Sequence, residues 1–298
     1  MTLDDLMVKP GLLAGKRYLV TGGGSGLGRV MSEALLLLGA TVYICGRRAA
    51  VVEQTAAELM AAHGGRVVAH ACDIRQEAQI CEMLDAIWAD GGALDGLVNN
   101  AAGNFVSRTE DLSPRAFDAI ASIVFRGSFC MTLDCGKRWL AEGKPASVVS
   151  ILTTWVWNGS PFTVPSAMSK AGLHAMTQSL AVEWAGRGIR FNAVAPGLFP
   201  TEGMSARLNP HGGEHKADRN PMDRNGRMPE LANLVAYLLA PGSEYVNGQT
   251  IAIDGGQFQA TGGNFSGLAA WTDDDWRRAR ENIAGQDAKD RRHRHAAD

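Results

Sequence analysis

Seven short, nearly unbroken apolar runs, each set off by a stretch with helical spacing, constrain this chain more than any other feature. Arg17–Thr21, Thr41–Gly46, Arg66–Ala71, Leu94–Asn99, Ala146–Ile151, Ile189–Ala195 and Thr250–Ile253 read as strands. A strand that is apolar along its length needs cover on both faces, so it belongs inside a sheet with helices above and below. The helical stretches are Gly26–Leu38, Ala50–His63, Gln76–Ala89, Pro114–Ala141, Pro165–Arg187 and Pro229–Leu239. Such alternation predicts an α/β fold: a doubly wound parallel sheet of three layers with right-handed crossovers. Gly or Pro marks most junctions, as at Gly39, Gly64-Gly65, Gly91-Gly92 and Pro196-Gly197.

The pattern fills residues 12–256 as a single domain and leaves 257–298 as a C-terminal extension. In the extension, Thr272 followed by three aspartates reads as a helix N-cap with acids in the first turn. A short helix to about Ile283 follows, with Trp271 and Trp276 as apolar anchors, and then a polar tail from Gln286. His293 and His295 have no second ligand pair, so no metal is expected. The formal charge of −2 and 20% charged residues give no general pull toward nucleic acid or an anionic membrane. No basic-then-apolar leader is present, and no apolar run is expected to span a bilayer. Five scattered cysteines without a Cys-x-x-Cys pair read as free thiols in a reducing compartment, the cytoplasm by default.

Thr21-Gly-Gly-Gly-Ser-Gly-Leu-Gly28 follows the first strand and opens the first long helix. Glycines there permit a tight turn, close approach of backbone to a pyrophosphate, and close helix–strand packing. The helix N-terminus supplies unpaired N–H groups and a positive dipole end for phosphate. In this strand–turn–helix setting the motif predicts a Rossmann-type dinucleotide site contacted by Gly22, Gly24, Ser25, Gly26, Leu27 and Gly28. The second strand ends Gly46-Arg47-Arg48 with no acid for a ribose 2′-hydroxyl. Two arginines there suit a 2′-phosphate, so the expected cofactor is NADP(H).

From Leu12 to Gly256 the sequence resembles the short-chain dehydrogenase/reductase family. The resemblance rests on the Thr21–Gly28 turn, Asp73, Asn99-Asn100-Ala101, Lys170, Pro196-Gly197, Asn247-Gly248 and Asp254-Gly255-Gly256. It implies that Asp73 and Ile74 lie at the adenine, Asn100, Ala101 and Ala102 beside the ribose, and Pro196, Gly197 and Phe199 at the nicotinamide. Within the family, Asn99–Phe105, Pro165–Gly172 and Pro196–Gly203 resemble the 2,4-dienoyl-CoA reductase branch. That branch reduces a conjugated acyl-CoA with NADPH, placing hydride on the far end of the diene and charge on the thioester oxygen. The resemblance assigns Arg75 and Arg207 to CoA and Asn104 and Phe105 to the substrate, with Arg108 a weaker candidate.

Most of the family carries Tyr-x-x-x-Lys; here Ser166 stands four residues before Lys170, as in the mitochondrial-type dienoyl reductases. The substitute tyrosine of that branch falls at Trp155, whose indole N–H donates a hydrogen bond but is no acid near neutral pH. The branch's thioester-binding asparagine falls at Arg126, and the wider family's asparagine at Val124. Lys170 is expected to bind the nicotinamide ribose and lower a neighbouring hydroxyl's pKa. Ser166 lies one helical turn earlier on the same face. Thr153, with Thr154 beside it, stands where the family places a substrate-binding serine, and two β-branched residues ending a strand is the alternative. Arg126 reads either as an enolate-stabilising cation or as a structural ion pair. Residues 200–227 read as a lid, and Trp155, Trp157 and Phe162 as an apolar substrate wall.

Three functional readings follow. The first is an NADPH-dependent reductase of an unsaturated acyl-CoA or related conjugated carbonyl. The second is a carbonyl reductase or alcohol dehydrogenase, and the third a non-catalytic NADP(H)-binding sensor or scaffold. By analogy with the family, a homotetramer is expected through the helices Pro114–Ala141 and Pro165–Arg187.

Overall fold

All seven expected strands pair in parallel into one sheet ordered β3-β2-β1-β4-β5-β6-β7. They are β1 (Arg17–Thr21), β2 (Thr41–Gly46), β3 (Arg66–Ala71), β4 (Gly96–Asn99), β5 (Ala146–Ile151), β6 (Ile189–Pro196) and β7 (Thr250–Ile253). The computed structural model describes residues 1–201, 220–261 and 266–283. Each central strand feeds two cores through its alternating side chains. Tyr18, Val20, Val98 and Val149 point into one core, and Leu19, Leu97 and Val148 into the other. The edge strands β3 and β7 are less buried.

Helices α1 (Gly26–Leu37), α2 (Ala49–His63) and α8 (Met228–Leu239) cover the first core, with Met31, Leu35, Leu59, Leu231 and Val235 against the sheet. The opposite core takes α3 (Glu77–Gly91), α5 (Ser128–Glu142) and α7 (Val164–Glu183), through Leu84, Met131, Trp139 and Ala181. Strand order reverses direction between β1 and β4. At such a switch point the crossovers leave on opposite faces, and a crevice opens above the carboxyl ends of the strands.

The single helix expected over Pro114–Ala141 is three segments: α4 (Pro114–Ala121), a π turn (Ser122–Gly127) and α5. Pro114 opens it behind Ser113, whose hydroxyl accepts the Ala116 N–H at 3.2 Å. The π turn accommodates extra backbone and seats Gly127 against β3's exit, where a Cβ would stand 2.8 Å from the Ile74 side chain. By length and composition Pro114–Glu142 is also long and apolar enough to cross a membrane, with mean hydropathy 1.4 in its apolar window, contrary to the sequence expectation. A third of that window is buried, and Met131, Cys135 and Trp139 are wholly inside the core.

Other boundaries shift for local reasons. β4 begins at Gly96, because Leu94 lies outside the ladder and its carbonyl accepts the Trp139 indole N–H at 2.8 Å. A four-residue helix, α6 (Trp155–Asn158), follows β5. α7 ends at Glu183, and a 3₁₀ turn (Ala185–Arg187) closes at Gly188 with φ +74°. Packing also reaches before residue 12: Leu6 joins the first core, and Asn233 accepts the Met7 N–H while donating to the Asp5 carbonyl. After β7, α9 (Gln257–Ala260) sets Phe258 against Trp157, ring centroids 4.7 Å apart. Helix 273–283 forms where Thr272 and Asp275 cap each other, and Trp271 and Trp276 pack edge to face at 5.0 Å. His293 and His295 lie outside the described residues.

Candidate active site

The turn after β1 is shaped by contacts that only glycine permits. Gly22 adopts φ +67°, and its N–H donates to the Cys45 carbonyl at 2.8 Å. A Cβ on Gly28 would lie 2.2 Å from the Gly22 carbonyl oxygen, and one on Gly23 2.6 Å from Ile44. The side chain of Ser25, the N-cap of α1, makes no capping bond, so the helix presents its first amides and Ser25 to the crevice. Thr55 holds Gly24 from the other side, donating to its carbonyl at 2.8 Å. Thr21 joins this turn to the next strand: its hydroxyl accepts the N–H groups of Asn100 and Ala101, both at 3.0 Å. The Asn100 amide returns a bond to the Thr21 carbonyl at 2.9 Å. The expected contacts Gly22, Gly24, Ser25, Gly26, Leu27, Gly28, Asn100, Ala101 and Ala102 therefore form one neighbourhood.

A cavity of about 460 Å³ continues from this turn over the ends of β2 and β3. Gly22, Gly24, Ser25, Arg47, Arg48, Asp73, Ile74, Ala101 and Ala102 line it. Arg47 and Arg48 are exposed, and neither has a carboxylate at ion-pair distance among the described residues. Asp73 is held below the usual carboxylate range by the Arg75 guanidinium and, at longer range, by Arg47. An anion-seeking helix end, glycine backbone and two exposed guanidinium groups suit a phosphorylated dinucleotide.

The other half of the crevice sits over β4, β5 and β6. Lys170, on α7, is 5% exposed, and its ammonium donates to the Ile151 carbonyl at the end of β5. Desolvation pushes its pKa down to about 8. Ser166 is buried one turn earlier. The buried Thr153 and Ser150 hydroxyls and the Asn99 amide oxygen have no hydrogen-bond partner among the described residues. Orphaned buried polar groups are costly, and here three lie at the carboxyl ends of neighbouring strands. Pro196 and Gly197 close this side; a Cβ on Gly197 would stand 2.8 Å from the Asp254 Cα.

A family model described as Enoyl-(Acyl carrier protein) reductase matches residues 22–257. The chain belongs to the short-chain dehydrogenase/reductase family. This short-chain dehydrogenase/reductase is 41% identical to an uncharacterized oxidoreductase of Caenorhabditis elegans, over 97% of this chain and 95% of the relative. It is equally identical to a probable 2,4-dienoyl-CoA reductase of the same nematode, over 96% of this chain and 94% of the relative. The RhlG/NADP active-site complex of Pseudomonas aeruginosa superposes with a TM-score of 0.76 at 30% identity, covering 84% of this chain and all of the other. The chain is thus an oxidoreductase, and within its family it is most similar to the dienoyl-CoA reductase branch.

Not every expected residue of this short-chain dehydrogenase/reductase reaches the crevice. Arg126 is exposed and paired with Glu77 at the start of α3, and also donates to the Arg75 carbonyl at 3.2 Å. Of its two readings, the structural ion pair is the observed one. Arg75 grips Asp73 with bonds of 2.9 and 3.0 Å from its Nε, so its charge is already engaged. Phe199 is buried and turns toward Gly226, lining a second cavity of about 260 Å³ at the carboxyl ends of β6 and β7. Asn104 is buried and accepts the Phe105 N–H at 2.9 Å. Phe105, like Val156, packs against the cluster that holds the buried Val124 and Leu152. Trp155 starts α6, half-buried. Arg207 lies outside the described residues, as do residues 202–219 of the expected lid.

Sequence reasoning missed Thr21 and Thr55 as anchors of the cradle, although a threonine fixed in front of a glycine run was visible. It also missed Cys45 and Cys72, which border the nucleotide cavity while packing in the second core, where burial pushes their thiols up, Cys72 to about 11. Ile123 enters the same cavity from the π turn, and no local sequence signal announces that.

Proposed function

We propose that this oxidoreductase reduces a conjugated, 2,4-dienoyl-like acyl-CoA with NADPH. The observation that carries the reading is a buried Lys170 held on the Ile151 carbonyl at the end of β5, two residues before Thr153, whose hydroxyl has no partner among the described residues, in a chain with Ser166 at the family's tyrosine position. The relative named a probable 2,4-dienoyl-CoA reductase supports it over nearly the whole length. For the cofactor, Arg47 and Arg48 line the nucleotide cavity where an NAD site carries an acid. Bound NADPH supplies the hydride.

The chain's own groups do the rest. The glycine turn and the α1 amides hold the pyrophosphate, and Arg47 and Arg48 hold the 2′-phosphate. Thr153 donates a hydrogen bond to the thioester oxygen as negative charge collects there, and the Lys170 ammonium stabilises that charge through space. With a pKa near 8, Lys170 Nζ also holds a proton close to the working range of an acid. Ser166, one turn earlier on α7, offers a hydroxyl through which that proton would be relayed to the substrate. Trp155 donates a hydrogen bond at most. Five free cysteines, three of them buried, suit a reducing compartment such as the cytoplasm. Assembly as a homotetramer through the α4–α5 and α7 faces belongs to the same reading.

The test is spectrophotometric. Purified protein is expected to oxidise NADPH with 2,4-hexadienoyl-CoA, and NADH at least about tenfold more slowly, the loss of one charge-assisted contact. Oxidation with simple ketones but not with the dienoyl ester would overturn the substrate; equal rates with both coenzymes would overturn the cofactor.

A further inference from the structure

Phe162 is the feature of the crevice that neither packing nor the proposed chemistry accounts for. Its backbone sits at φ +63°, a left-handed conformation that a bulky side chain disfavours and a glycine adopts freely. The residue nevertheless stays 56% exposed, so burial in the core does not offset the strain. The strain is imposed by its neighbours. The Phe162 carbonyl accepts the Ser107 N–H at 2.9 Å, tying the segment after β5 to the loop after β4. On the other side Thr163 is the N-cap residue of α7 and donates to the Ser160 hydroxyl at 2.8 Å. Phe162 thus bridges the two loops that flank the crevice, at the end of the helix that carries Ser166 and Lys170. Val106, next to Ser107 on the loop tied to Phe162, is 41% exposed and is a second apolar side chain in water.

We infer that Phe162, with Val106 on the loop tied to it, is a specificity-determining residue that seats the apolar chain of the substrate where it leaves the crevice. Strain held at a functional site against an unburied side chain is the expected signature of such a role. The assignment rests on the acyl-CoA reading above and goes beyond it: it says which residue reads the length of the chain. A short acyl group ends inside the crevice and does not reach Phe162, whereas a longer one lies across the ring.

The test compares Phe162→Gly with wild type in the full-length protein, using hexadienoyl-CoA and decadienoyl-CoA. Glycine removes the ring and relieves the backbone together, so a role in stability and a role in recognition give opposite results. The expected result is a ratio of decadienoyl to hexadienoyl kcat/KM that falls about tenfold. NADPH Kd should stay unchanged and Tm equal or higher, and Phe162→Leu should restore most of the ratio. An unaltered ratio in an active variant overturns the assignment to Phe162 and leaves the reaction standing. A lower Tm with both esters equally affected shows the ring to be structural and also overturns it. A wild type inactive with both esters refutes the reaction itself, and the assignment with it.

Discussion

A lysine ammonium enclosed by protein is stable only where something answers its charge, and Lys170 has one carbonyl to do so. Its pKa falls from 10.5 to about 8 through desolvation. The unfolded chain keeps this proton up to about pH 10.4 while the folded chain releases it near 8. The unfolded state therefore binds more protons between those values, and stability rises with pH across that window. Below it the full cost applies, of the order of 3 kcal/mol, since each pH unit is worth about 1.4 kcal/mol. Lys170→Met should be more stable than wild type near pH 7, and the difference should shrink between pH 8 and 10.5, as followed by urea unfolding. A difference that stays constant over that range would show that the lysine is not buried charged. At this scale sequence reading did well where a motif fixes backbone, as at Gly22, Gly28 and Gly197. It did poorly where a long side chain chooses between partners. Arg126 and Arg75 each had an acid within reach, Glu77 and Asp73, and pairing with it engages their charge.

Among the elements, the long connection from Pro114 to Glu142 shows what periodicity conceals. A helical stretch with a π turn inside it has the same apolar spacing over each half, so one unbroken helix is the natural reading of the sequence. The seam becomes visible only in the packing of Val124 and Gly127 against the neighbours of β3 and β5. α6 was invisible for a different reason: four residues are too few to show a period. The strands, by contrast, were almost wholly legible, because burial on both faces leaves an apolar signature that no surface element imitates. Where α5 meets the end of α7, a Cβ on Gly136 would stand 2.3 Å from the Trp184 ring. That ring is itself edge-packed on Phe191 at 5.6 Å and has little room to retreat. Gly136→Ala should therefore cost about 1–3 kcal/mol by overpacking, read as a lower urea midpoint at unchanged m-value. Equal or greater stability would show that Trp184 gives way.

The molecule as a whole leaves two adjacent faces with apolar side chains in water. Phe117, Phe125 and Phe129 are exposed along α4, the π turn and α5, and Met168 and Val182 along α7. Under the tetramer reading, light scattering should report about four times the 31.7 kDa chain mass, and Phe129→Glu should yield smaller species because a charge in such a contact goes unpaired. A wild type that scatters as a single chain would end that reading.

One hydroxyl has a consequence for how such a protein comes into being. Thr21 serves the turns after β1 and β4 together, accepting amides from Asn100 and Ala101 nearly eighty residues further along the chain. No early fragment of a nascent polypeptide contains a finished berth for the coenzyme, however well its first strand and helix have formed. Acquisition of the coenzyme waits until the fourth strand has docked beside the first. From that moment the ligand's free energy is added to the folded state alone, so coenzyme supply in the cell becomes a late aid to maturation.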